Sequence, residues 1–129
     1  MFIARAAIEE MHRQVGALSL DENGVARYGL IVRHLILPNN IGGSQNSLRW
    51  IADTLSTSVT VSIMAQYAPL HHASKYKLLN RKIVKCEYDV VLALLEELGI
   101  DRGWLQDLES SEHYIPDFDS KVRPFILNA

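Results

Sequence analysis

Residues Gly29 to Ser44 read GLIVRHLILPNNIGGS. The run is apolar except for Arg33 and His34, and it stops at Pro38. Leu, Ile and Val at both odd and even positions predict a strand buried on both sides, as in a parallel sheet covered by helices. Pro38, Asn39, Asn40, Gly42 and Gly43 then make a loop. Ser44 is placed to cap the helix that follows. In barrel and open α/β folds the site lies at the carboxyl ends of the strands of such β-loop-α units.

Downstream, Leu48, Ile51, Ala52 and Leu55 repeat at helical spacing and predict a helix over about 45–55. Trp50 lies off that stripe and shields an edge. VTVSIM, Val59 to Met64, is the second buried strand by its β-branched content. It ends in Ala65-Gln66-Tyr67-Ala68-Pro69. The segment 70–84 lacks clear periodicity and is long for a connection, which marks it as a candidate functional loop. Tyr88, Val91, Leu92, Leu95 and Leu98 predict a core-facing helix over 85–98, stopped by Gly99. Arg102 to Leu108 reads as a third strand, and 109–129 as an irregular tail.

Upstream, Ala4, Ala7, Ile8, Met11 and Val15 form the apolar stripe of a helix over 4–15, with Gly16 as its stop. Ala17 to Tyr28 reads as a hairpin around the turn Asp21-Glu22-Asn23-Gly24. The chain opens inside a helix where a parallel α/β domain usually opens with a strand, which reads as a start in mid-fold. The expected fold class is parallel α/β in a single domain over 1–129, with about three sheet strands, three helices and a small hairpin. So few strands read more like part of a barrel than a closed fold, because both sheet edges stay open.

The 129 residues suffice for one core, and 48% hydrophobic with 22% charged residues is an ordinary globular mix. A net charge of −2 without a basic run argues against a nucleic-acid partner. No apolar segment approaches the roughly 20 residues of a membrane span. The N-terminal stretch carries acids and an amphipathic period, unlike a targeting peptide. One cysteine excludes an internal disulfide, and a cytoplasmic address is the default expectation.

GLIVRHLILPNN, SIMAQYAP and KCEYDVVLALLEELG together resemble the C-terminal half of radical S-adenosylmethionine proteins of the pyruvate formate-lyase activating enzyme type, most closely the activating-enzyme-like branch. AIEEMHRQVG and GWLQDLESSEHYIPDF add to the likeness, which runs from Ala6 to about Phe118. The resemblance implies a partial (β/α) barrel whose strand ends hold S-adenosylmethionine and a 4Fe–4S cluster. In that family the cluster sits on a CxxxCxxC-type loop early in the barrel, and this sequence has no such loop. Cys86 is its one cysteine, and a cluster needs several thiolates. The whole protein would split S-adenosylmethionine with a reduced cluster and abstract hydrogen from a protein of glycyl-radical type or a small substrate. This chain alone is expected to be catalytically silent.

By the same resemblance, Leu37, Pro38 and Asn39 line the adenine and methionine side of the cofactor, and Met64, Gln66 and Tyr67 meet the adenine. The residue types agree: Met64 and Tyr67 can pack on a purine, and Gln66 offers both a donor and an acceptor. Arg33, His34 and Gln106 are candidate substrate contacts, with Glu109 and His113 beside them. For Arg33 and His34 the alternative is an ion pair or hydrogen bond that fixes the strand. Asn39, Asn40, Gly42 and Gly43 read either as an anion nest or as plain loop chemistry. His71 and His72 have no companion at metal-ligand spacing, and Cys86 reads as a partly buried thiol. No GxSxG and no paired carboxylates point to a complete hydrolase. The rival to the cofactor-wall reading is a non-enzymatic assembly module. It would form a homodimer, or complete a barrel with a separate chain that carries the cluster half.

Overall fold

The structure is a computed structural model and describes residues 2–106 and 108. It is mixed α/β, with three α-helices and two sheets among the described residues. Helix α1 spans Phe2–Val15. Strands β1 (Ser19–Leu20) and β2 (Ala26–Tyr28) pair antiparallel as the expected hairpin. Its turn is held by Asp21, whose Oδ1 accepts the Asn23 and Val25 amides at 2.9 Å each. β3 (Ile31–Leu35), β4 (Thr60–Met64) and β5 (Gly103–Leu105) form a parallel sheet with β4 in the centre. α2 (Ser44–Trp50) and α3 (Lys85–Leu98) connect them.

Register sorts the sheet residues into two faces. Val32 and His34 lie beside Val61 and Ile63, with Leu105 next to Ile63. Arg33 and Leu35 lie beside Ser62 and Met64, with Trp104 next to Ser62. The core contains Val61, Ile63 and Ala65 from β4 and its exit, packed with Leu48 and Ile51 and with Val91, Leu94 and Leu95 of α3. The sheet residues of the core therefore all belong to the first face. α2 and α3 pack on that face, while the other carries no core side chain although Thr60 on it is buried.

β3 departs from the doubly buried strand that its sequence predicts. It is an edge strand, and Ile31 and Arg33 are exposed. Its long apolar run serves several environments instead of two sheet faces. Ile36 enters the core, Pro38 is fully buried in a 3-10 turn, and Leu37 lines a cleft. The α1 stripe also departs from expectation. Ala4, Ala7, Met11 and Val15 are exposed and Ile8 is half-buried, because among the described residues α1 meets little beyond the turn 51–55. Arg5 lies 5.2 Å over the Trp50 ring and marks that meeting.

The second helix is regular only to Trp50. Ile51–Leu55 closes as a π turn in which the Ser56 amide bonds the Ile51 carbonyl at 3.1 Å. Ser44 is not its cap: Gly43 takes the cap position with φ 61°, and Ser44 is the first helical residue. The third strand is shorter than expected. Gly103 fits because a Cβ there would lie 1.7 Å from the Val61 carbonyl oxygen. No described helix is long and apolar enough to cross a membrane. The expected tail 109–129 lies outside the described residues.

Candidate functional site

Parallel pairing brings the ends of β3, β4 and β5 to one edge of the sheet. Met64 and Gln66 alternate with the core residues Ile63 and Ala65, so both belong to the face without core residues. Gln106 joins them: its amide bonds the Ile63 carbonyl at 3.1 Å, continuing the ladder one step past β5. The Gln66 and Gln106 Oε1 atoms are both buried without a hydrogen-bond partner. A buried acceptor left unpaired costs about 1–3 kcal/mol, so two on one face of neighbouring strands call for a donor that the described residues do not supply.

The other predicted wall residues separate from this pair. Leu37 and Asn39 line a cleft of about 500 Å³ between α2 and α3, on the helix side of the sheet. Pro38 is fully buried and presents no surface to a ligand. Asn39 has a left-handed φ of 58°, and its polar groups are engaged. Its amide donates to Glu87 Oε1 at 2.8 Å, its Nδ2 donates to the Leu78 carbonyl at 2.8 Å, and its Oδ1 accepts from Arg81 at 3.1 Å. The Arg81 guanidinium and the Val84 and Asn39 amides hold the Glu87 carboxyl down at about 2. Glu87 raises the Arg81 pKa in return. Asn39 is thus part of a loop latch in which it meets a cation, a carboxylate and a carbonyl, whereas the Asn40 carbonyl accepts the Gly43 amide within its own loop.

Tyr67 also leaves the open face to the two glutamines. Its hydroxyl donates to the Leu79 carbonyl at 2.7 Å. Asn39 and Tyr67, from the ends of β3 and β4, therefore grip consecutive peptide carbonyls of the segment 70–84. That segment carries a 3-10 helix at His71–Lys75. His71 and His72 are exposed with ring centroids 4.0 Å apart. The described residues hold no cluster of His, Cys, Asp and Glu suited to a metal ion. Cys86 is exposed at the cleft, not partly buried.

His34 and Arg33 point to opposite faces, as their adjacency requires. Arg33 is exposed on the face that carries Ser62 and Met64. His34 turns toward the helices, and its Nε2 lies 2.7 Å from the buried Ser44 Oγ. Burial lowers the His34 pKa. This is the hydrogen-bond alternative that the strand's sequence left open. Glu109 and His113 lie outside the described residues.

Sequence reasoning did not anticipate the Arg81–Glu87–Asn39 cluster, and it left the partner of His34 unnamed. Glu87 had a readable signal: it stands three residues after Val84, the capping-box spacing. Val84 has no side-chain acceptor, so only the half in which Glu87 accepts the Val84 amide, at 2.9 Å, is made.

Comparison with known proteins adds one relative. The chain is 32% identical over 73 residues to an uncharacterized protein of Methanocaldococcus jannaschii, covering 56% of this chain and 21% of the relative. The matched part thus spans about a fifth of that protein's length. No family model matches the chain, and no solved structure does.

Proposed function

We propose that this chain is the C-terminal portion of a radical S-adenosylmethionine protein of the pyruvate formate-lyase activating enzyme-like branch. In this reading its sheet is a section of a (β/α) barrel, and the face without core residues is the barrel interior. The observation that carries the reading is the pair of buried, unpartnered carboxamide oxygens of Gln66 and Gln106. A purine amine or an ammonium group would supply the missing donors. Met64 on the same face would pack against the adenine, and Arg33 would reach a substrate or cofactor carboxylate. Bound beside a reduced cluster, S-adenosylmethionine supplies one-electron chemistry, and this chain's residues orient it and exclude water. With Cys86 as its one thiol, the chain leaves cluster ligation to another stretch of polypeptide.

Calorimetric titration of the purified chain with S-adenosylmethionine tests the reading. Saturable binding, weakened at least about tenfold by Gln66→Ala, is expected, since stranding a hydrogen-bond partner costs about 1–3 kcal/mol. No heat at millimolar ligand removes the reading for the chain by itself.

A second reading is an assembly module that dimerises or completes a barrel with another chain. The exposed α1 stripe and the edge position of β3 favour it. Light scattering after size exclusion tests it: a dimer supports it and a monodisperse monomer counts against self-association.

A further inference from the structure

We propose that Ser44 and His34 form a nucleophile–base pair and that the cleft between α2 and α3 accepts neutral acyl esters. Ser44 is part of the cleft wall, whereas His34 stands behind it on β3 with Nε2 2.7 Å from Oγ. That distance lies within reach for direct proton transfer. The cleft, at about 500 Å³, has the size of a small-molecule site. Ile36, Leu37, Val90, Val91 and Leu94 give it apolar walls suited to an acyl chain. Two carboxylates border it, and both are paired: Glu87 with Arg81 at 2.8 Å and Glu97 with Arg49 at 3.2 Å. With those charges compensated, an uncharged ester fits better than a charged ligand. Burial favours the neutral imidazole, the form able to accept a proton.

In the step, Ser44 Oγ bonds to the acyl carbon as its proton moves to His34 Nε2. The bond from that carbon to the alcohol oxygen breaks, and the leaving alkoxide takes the proton from His34. Water then attacks the acyl-serine, gives a proton to His34, and the carboxylic acid departs as Ser44 Oγ recovers that proton. This inference does not rest on the cofactor reading, because the cleft and the glutamine pair lie on opposite faces of the sheet.

The test uses the full chain with an alkyl fluorophosphonate and with p-nitrophenyl butyrate. The probe should form a Ser44–phosphonate adduct with loss of fluoride, located by peptide mass spectrometry. Ester hydrolysis should vanish in Ser44→Ala. His34→Gln should lower kcat at least about 100-fold with KM unchanged, in line with loss of a general base. If His34→Gln does not fold, Ser44→Ala decides alone, since it deletes only one oxygen; its circular dichroism should match wild type. Failure to label Ser44, or hydrolysis unchanged in Ser44→Ala, overturns the proposal.

Discussion

Arg81 holds Glu87 with both terminal guanidinium nitrogens, Nη1 to Oε2 at 3.0 Å and Nη2 to Oε1 at 2.8 Å. The same carboxylate accepts the amides of Asn39 and Val84. One side chain therefore joins the exit of β3, the segment 70–84 and the first turn of α3.

Glu87 has a folded-state pKa of about 2 against 4.5 for the free side chain. Its contribution is present above pH 4.5 and is lost as the pH falls from there through about 2. Glu87→Gln should lower the urea midpoint at pH 7. The two proteins should converge as the pH approaches 2. Glu10, held low by Arg13 and Gln14, titrates in the same window, but an exposed pair contributes little.

Tyr67→Phe removes one hydroxyl and leaves the Leu79 carbonyl without its donor. The expected loss is about 1 kcal/mol in urea unfolding. Limited proteolysis should cut the segment 70–84 faster than in wild type while the α3 region stays protected.

Burial pushes the His34 pKa below that of a free imidazole. Its lowered pKa means that the unfolded chain binds a proton first as the pH drops below 6.5. Wild type should therefore lose stability between pH 7.5 and 5.5, values chosen to bracket the free imidazole pKa of about 6.5. His34→Gln should lose less over the same interval.

Gly103→Ala tests the β4–β5 pairing. Gly103 has φ 142°, and an added Cβ would collide with the Val61 peptide. Strain at such a position costs about 1–3 kcal/mol, and the clash adds to it. Trp104 fluorescence should report loss of β5 before the rest of the chain unfolds.

Gln66→Met replaces an orphaned acceptor with an apolar chain of similar length. It should raise stability by about 1 kcal/mol, because a buried unpaired group is removed. The same substitution should weaken S-adenosylmethionine binding. Opposite signs in the two measurements would mark a residue kept for a ligand and not for folding.

Much of the architecture could be read from residue pattern. The α3 boundaries, the hairpin turn at Asp21 and the β-branched strand before Met64 follow from periodicity and turn chemistry. What escaped were properties of placement. LILP looks buried on every side, yet its residues divide among the core, a cleft wall and a turn. The apolar spacing of α1 predicts a helix correctly and says nothing about whether a partner is present. Within the candidate site, Gln66 and Gln106 stood out as strand-end residues, but their shared burial depends on parallel register between distant segments. Arg81, Asn39 and Glu87 meet through a loop without periodicity, so no local signal joins them.

Asn39 and Tyr67 fix neighbouring peptide carbonyls, those of Leu78 and Leu79, which turns a long connection into two separately measured spans. Insertions between residues 75 and 77, past the 3-10 helix His71–Lys75, lengthen the first span at little entropic cost. An insertion between 79 and 81 would shift Arg81 out of step with Glu87 while Leu78 stayed pinned. Length variation among related sequences should therefore fall on the first span and spare the second.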